Sequence, residues 1–384
     1  MNMTTSSLHE LCPRSPRPML RARGRLPPRC ACASDSPSSH STRAAAHGPP
    51  TIANLGPGFD WLGVAVEGCG DVVEAQLLDA SSGPSVHVGS ISGDDGKLPL
   101  DADSNCAAVA ALHALYALDA DVSIELDVMK GLPLGSGLGS SAASAAAAAT
   151  AVASLIAKQR SGSACDNGNS VSMVDPELLV PAGIEAEACV SGRHADNVAP
   201  ALMGGFVLIQ QTQPPHVRRL RCGCDDSLHF ALVTPDQEAP TAKMRRAVPD
   251  SVSVPEHVLG AASGGGLVAG ILEGNVQLLG ESLASDRIIE AARAPLLPGF
   301  LAAKHAAVEA GAAGCTISGA GPTAVAVAEN KRGAELASKA MADAFEAEGK
   351  GVVSAIAAPL SEGGAQPVPI GSRPELSDEV LTVV

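Results

Sequence analysis

The chain has 384 residues, 46% of them hydrophobic and 17% charged. That is long enough to bury a core in one large or two medium domains and too apolar for a disordered chain. A formal charge of −15 argues against a nucleic-acid or anionic-membrane partner. Aromatics make up only 2% of the chain, so Ala, Val, Leu and Ile must fill the interior.

Residues 1–46 hold seven Arg, eight Ser, repeated Pro, no Lys, and only Glu10 and Asp35 as acids. Arg-rich, Ser-rich and acid-poor composition describes an organellar transit peptide. The Ser and Pro content, without an amphipathic Arg helix, favours a chloroplast over a mitochondrion, and an ordinary terminal tail is the alternative. Without this segment 19 basic and 39 acidic residues remain, so the basic charge is confined to it. Ten cysteines occur without a CxxC pair. Cys222-Gly-Cys224 and Cys30-Ala-Cys32 are spaced too closely for a zinc knuckle, which leaves scattered reduced thiols.

From Thr51 strands and helices alternate. DVVEAQLL and SVHVGSI alternate as strands do, SNCAAVAALHALYAL has helical spacing with Ser104 or Asn105 as its cap, and VSIELDVM is again a strand. A glycine turn then leads into an alanine helix whose apolar run, Ala142–Ala157, reads as too short and too weakly hydrophobic to span a bilayer. A low-complexity gap from Arg160 to Ser172 precedes the helix PELLVPAGIEAEACV and the strands GGFVLIQQ and HFALVTP. GLVAGILEGNVQLLGESLA and FLAAKHAAVEAG read as helices, and GCTISG and TAVAVA as strands around a turn. The helix GAELASKAMADAFEAEG and the strand VVSAIAA close the body, and residues 364–384 read as a loose tail. The order is that of an α+β fold in two layers, broken near Gln211–Pro215, with no repeat. The domains expected are therefore 47–213 and 214–363.

The turn GLPLGSGLGSS, Gly131–Ser141, runs straight into the alanine helix. Free N–H groups and a positive dipole end there form an anion site, and glycines remove the Cβ atoms that would hold a phosphate off. No Gly-Lys-Ser/Thr closes it, so it is not a Walker A loop, and it is not the dinucleotide fingerprint either. Taken alone, a plain strand-to-helix turn is the simpler explanation.

PLGSGLGSSAA (Pro133–Ala143) resembles the second motif of the GHMP kinases. ANLGPGFDWLG (Ala53–Gly63) and GCTISGAGPTAVAV (Gly314–Val327) resemble the first and third, in the same order. SGRHADNVAPALMGGFVLI, EAPTAKMRRAVP and RAPLLPGF are similar to segments of homoserine kinases, and the pattern over residues 51–360 is closest to the plant type. The resemblance implies a ribosomal-S5-like N-terminal domain joined to a ferredoxin-like C-terminal domain, with ATP and substrate in the cleft between them. It also implies phosphorylation of the L-homoserine hydroxyl with ATP and Mg²⁺. Another small-molecule GHMP kinase, such as one of mevalonate type, and a silent GHMP-fold sensor remain as alternatives, and a homodimer is left open.

For ATP the resemblance points to Pro133, Leu134, Gly135, Ser136, Gly137, Leu138, Gly139, Ser140, Ser141, Ala142 and Ala143. Asn105 is a candidate at the adenine, though capping the helix that starts there serves it equally. For homoserine, a zwitterion ending in an alcohol, the acid Asp60 beside Asn54 suits the ammonium, and Arg245 and Arg293 offer planar forks for the carboxylate. Thr241 lies four residues before Arg245, on the same face of a helical turn. His194, Asp196 and Asn197 are implied on the hydroxyl side, with Asn197 the direct contact. The magnesium ligands implied are Glu187 and Ser140, hence a catalytic set of Glu187, Asn197 and Ser140. Glu185, two residues away, points to the other side of a helix, so only one of the two acids can serve. Each charged residue has a plain alternative as a cap or a solvated surface group. Two stretches depart from the pattern: TRAAAHGPP before the first motif is poor strand material, and GAASGGGLVAG at Gly260–Gly270 is glycine-rich for a helix.

Overall fold

The computed structural model describes residues 42–79, 83–161, 174–224, 227–375 and 381–382. The Arg/Ser-rich segment up to residue 41, most of the low-complexity gap (162–173) and the Cys30–Cys32 pair lie outside them. The chain opens with β1 (Arg43–Gly48), β2 (Thr51–Ala53), β3 (Leu62–Ala65), β4 (Asp71–Leu77) and β5 (Ser85–Ser92). Helix α1 (Cys106–Ala117), β6 (Ser123–Met129) and α2 (Ser140–Ser161) follow, then α3 (Val180–Ala188), α4 (Val198–Met203), β7 (Phe206–Thr212) and β8 (Pro215–Leu220). Beyond these come β9 (His229–Pro235), α5 (Thr241–Arg246), α6 (Val254–Glu273), α7 (Val276–Leu283), α8 (Ile289–Arg293) and α9 (Phe300–Glu309). The order ends with β10 (Gly314–Ile317), β11 (Ala324–Ala328), α10 (Lys331–Ala347), β12 (Val352–Pro359), β13 (Gln366–Val368) and β14 (Leu381–Thr382).

Among the described residues three sheets form, with strand orders β13-β1-β4-β6-β5, β2-β3-β7-β8 and β10-β11-β9-β12-β14. The first packs on α1–α4 through a core of alanines and small aliphatics. Helix α2 has the length and composition to cross a bilayer, contrary to the sequence expectation, yet most of it is buried inside this core. Alanine is the residue that lets a helix be surrounded on all sides at close range. In the third sheet side chains alternate by the period of two. Phe230, Leu232, Val325 and Val327 meet the second sheet with α6 and α7, whereas Ala231, Val233, Ala324 and Ala326 meet α9 and α10.

Several boundaries differ from those expected. RAAAHG forms β1, buried and paired on both sides by β4 and β13, so a segment ending at residue 46 would cut into a strand. Sheet pairing and burial of three alanines decide the matter against their low strand propensity. The expected break at 213/214 is the turn of the β7–β8 hairpin, inside one sheet. Gln366–Val368, expected in a loose tail, is the strand that pairs with β1. The region Gly266–Ala284 is two helices, because Gly274 takes the left-handed conformation and Asn275 caps α7. Helix α6 runs unbroken through its glycines: a Cβ on Gly264 would stand 2.9 Å from the Trp61 ring, and one on Gly270 2.7 Å from Leu279 N.

Candidate active site

A cavity of about 310 Å³ opens where α2 begins. Leu134, Gly135, Ser136, Gly137, Gly139, Ser140 and Ser141 form one wall, with Asn105, Glu187, Asn197, Thr241 and Gly319 around them. Of the residues read as nucleotide contacts, Pro133, Leu138, Ala142 and Ala143 do not line it. Pro133 faces outward, Leu138 belongs to the core between the sheets, and the two alanines are fully buried in the first turn of α2. Asn105 borders the cavity but acts as the α1 cap, accepting from Ala107 N and Ala108 N and donating to Pro99 O.

The glycines of the loop have a positional reason. Gly135, Gly137 and Gly139 all hold positive φ. A Cβ on Gly137 would come within 2.6 Å of Ser318 O and 2.7 Å of Gly321 O, and one on Gly139 within 2.0 Å of Thr51 Oγ1. The second motif is thus seated directly on the third. Ser318 Oγ donates to Gly137 O at 2.7 Å and Thr323 Oγ1 to Ser136 O at 2.6 Å. The first motif is tied to the same point, since Asn54 Nδ2 donates to Gly319 O at 2.9 Å and Asn54 Oδ1 accepts from Asp60 N. Asn54, Leu55 and Asp60 keep positive φ although none is glycine, strain of about 1–3 kcal/mol each that the surrounding contacts must hold.

Helix α3 separates its two acids. Glu187 is buried and faces the cavity, with Ser141 Oγ donating to Oε1 at 2.7 Å and Ser191 Oγ to Oε2 at 3.1 Å. Burial pushes its carboxyl above the usual range, and the two hydroxyls and the charge of Lys130 oppose that shift. Glu185 pairs outward with Arg193. The hydroxyl that meets Glu187 belongs to Ser141, whereas Ser140 Oγ donates to Leu132 O at 3.3 Å, one residue of helix turning it away. No cluster of three or more His, Cys, Asp or Glu suited to a metal occurs among the described residues.

The charged residues gather beside the cavity and engage one another. Asp60 and Arg245 form a bidentate ion pair with both contacts at 3.0 Å, and His194 Nδ1 lies 3.6 Å from Asp60. Arg245 Nε is buried without a hydrogen-bond partner among the described residues. Asp196 is buried, and its carboxyl is pushed up to about 7 by desolvation and by Asp60. Burial, then Arg245, lowers His194. Asn197 joins the two halves of the site: it accepts from Thr51 Oγ1 at 2.9 Å, and the same Oδ1 lies 2.9 Å from where a Gly139 Cβ would be. Arg293 differs from its expected role as an open fork. It is buried, donates to Met244 O and Gly319 O, and stacks on Phe59 at 4.9 Å. Desolvation and Arg245 lower it to about 10.

The residue that the sequence reading missed is Lys130, in the wall of the cavity and paired with buried Asp71. Its one signal is position, a lysine directly before the glycine loop. Thr51 and Ser191 carried no signal at all.

Residues 105–205 match the family model "GHMP kinases N terminal domain" and residues 267–347 match "GHMP kinases C terminal". The homoserine kinase of Arabidopsis thaliana is 47% identical over 298 residues, covering 77% of each chain. The chain belongs to the homoserine kinase family of GHMP kinases. A homoserine kinase of Chlorobium phaeobacteroides is 38% identical over 77% of this chain and 89% of its own length. The crystal structure of homoserine kinase from Cytophaga hutchinsonii superposes with a TM-score of 0.77 at 36% identity, over 87% of this chain and 100% of that one. Membership gives a two-domain α+β fold and an enzyme of the kinase class.

Proposed function

We propose that this homoserine kinase family member transfers the γ-phosphoryl group of ATP to the side-chain hydroxyl of L-homoserine, giving O-phospho-L-homoserine for threonine biosynthesis. The observation that carries the reading is the adjacency of two unlike halves through Asn197. A glycine cradle at a helix N-terminus suits phosphates, and an acid–base pair suits a zwitterion. The ammonium exchanges for Arg245 on Asp60, and the carboxylate exchanges for Asp60 on Arg245, whose buried Nε lacks a hydrogen-bond partner among the described residues. Asn197 aims the hydroxyl toward the cradle. Thr241 lines the cavity at the start of the helix that carries Arg245.

Phosphoryl transfer is chiefly positioning and charge neutralisation. The backbone N–H groups of Gly137, Gly139, Ser140 and Ser141 and the positive end of α2 hold the phosphate oxygens. A magnesium ion would be held by the hard oxygens of Glu187 and of Ser141, the hydroxyl that meets it. When bound it would neutralise charge on the transferring group. A silent sensor has no use for a buried carboxylate aimed into the phosphate cavity, and a mevalonate-type kinase, whose substrate has a carboxylate but no ammonium, has none for the acid Asp60.

A coupled ADP-release assay on the full chain with homoserine, mevalonate and galactose tests this reading. Turnover with homoserine alone is expected, and comparable turnover with mevalonate overturns the substrate. We also assign the protein to plastids, from the composition of the N-terminal segment and the plant relative. A fluorescent protein carrying residues 1–42 should enter plastids, and a diffuse cytosolic signal refutes that assignment.

A further inference from the structure

Lys130 and Asp71 form an ion pair whose side chains are 1% and 0% exposed, at the back of the phosphate cradle. An ammonium has three N–H groups, and all three are taken: by the Asp71 carboxylate, by Ser140 O at 2.7 Å and by Ser144 Oγ at 2.8 Å. No donor is left for a phosphate oxygen. Asp71 is equally committed. Its Oδ1 accepts from Gly131 N at 2.9 Å and Leu132 N at 3.2 Å, and its Oδ2 accepts from Ser144 Oγ at 2.7 Å as well as from Lys130.

These partners stand at the two ends of one loop. Gly131 and Leu132 are where the chain leaves β6, and Ser140 and Ser144 are the first turn and a half of α2. Between them run Gly135, Gly137 and Gly139, which lack the side chains that would otherwise fix a backbone path. A buried pair contributes little net stability against apolar residues of the same size, because desolvation offsets the attraction. What it supplies here is a fixed distance between loop entry and helix start.

We propose that Lys130 and Asp71 are positioning residues of the phosphate cradle. They set how tightly the triphosphate is held without touching it, and they leave the homoserine end alone. This rests on the kinase reading of the same cavity.

The decisive variant is Lys130→Met combined with Asp71→Asn. It leaves no unpaired buried charge, keeps the volume, and leaves an amide oxygen for Gly131 and Leu132. Nucleotide binding by calorimetry and both KM values are read beside the melting temperature. A KM for ATP and a Kd for ADP raised about 10-fold or more are expected, with the homoserine KM within about twofold. Wild-type ADP affinity in the double variant, or equal loss toward both substrates, overturns the proposal. Ser144→Ala gives a second reading that does not depend on folding of the double variant, since alanine suits this helix. It should weaken ADP by a few-fold, and an unchanged Kd overturns the proposal as well. Failure of the wild-type chain to bind ADP would instead remove the kinase reading itself.

Discussion

The two halves of the site are built from opposite materials. The phosphate cradle is backbone: three glycines at positive φ, one helix start, and hydroxyls of Ser318 and Thr323 that hold loop carbonyls in place. Its geometry is set by contacts within the chain. The other side is charge: Asp60, His194, Asp196, Arg245 and Arg293 come from four separate segments, Asp60 pairs with Arg245 with His194 3.6 Å away, and Arg293 is held by the Met244 and Gly319 carbonyls. A backbone site needs no counter-charge while empty, whereas a buried charged site must carry its own. On the proposed function, homoserine has to displace the Asp60–Arg245 pair, whereas the nucleotide displaces no ion pair.

The largest effect should come where the halves meet the transferring group. Glu187→Gln keeps the hydrogen-bonding shape but removes the charge, so kcat should fall about 10²–10³-fold with the homoserine KM little changed. A near-normal kcat in steady-state assays would take Glu187 out of the chemistry.

Next in size is the charged side. Arg245→Ala leaves Asp60 unpaired and strips the carboxylate contact. The pair is about a third exposed, so the low end of the range for a broken charge pair applies, about 2–3 kcal/mol or roughly 30- to 150-fold in kcat/KM for homoserine. ATP KM should stay within about twofold. An amine analogue without the carboxylate should be poor for wild type and lose little more on the variant. An equal loss for both substrates means that Arg245 is structural.

Gly137→Ala probes the backbone side in isolation. Its φ of +84° and the 2.6 Å approach to Ser318 O leave no room for a Cβ. The loop must lift from the third motif, raising the KM for ATP about 10-fold and lowering stability by about 1–3 kcal/mol. If the homoserine KM rises as much, the two halves are not independent.

The smallest effect is a pH dependence of stability. Asp196 keeps its proton to about 7 in the fold, because burial and Asp60 disfavour the charge, and to only about 4 when unfolded. The folded chain binds more protons between those values, so its stability falls as pH rises from about 4 to 7. Asp196→Asn has no such proton. Its melting temperature should rise relative to wild type by about 3 °C or more between pH 5 and pH 8, measured without substrate. A constant difference would mean that Asp196 is ionised throughout.

Much of this was legible in the chain itself, and the reason differs by residue. Glycine loops advertise themselves because glycine suits Gly137's backbone, and helical spacing sets Glu185 and Glu187 apart, while the choice of Glu187 came from the resemblance. Lys130 did not advertise itself, since nothing near it in sequence names Asp71 as its partner 59 residues away. Arg293 looked like a free fork, and in the fold its Nε and Nη1 are engaged by Met244 O and Gly319 O. Strand β1 was hidden by its alanines, because pairing with β4 and β13 made it a strand where propensity did not.

The sequence by itself determined the backbone-built parts: the three glycine motifs in order, the α+β alternation, the capped helix starts and the long alanine helix. Each depends on a residue's own conformational range or on neighbours three and four places away. Only the tertiary structure decided which charges pair, which hydroxyl meets Glu187, that the chain turns at 213/214 inside one sheet, and that Gln366–Val368 returns to β1. Those outcomes depend on which distant groups lose water together, and desolvation is a property of the assembled fold rather than of any stretch of chain.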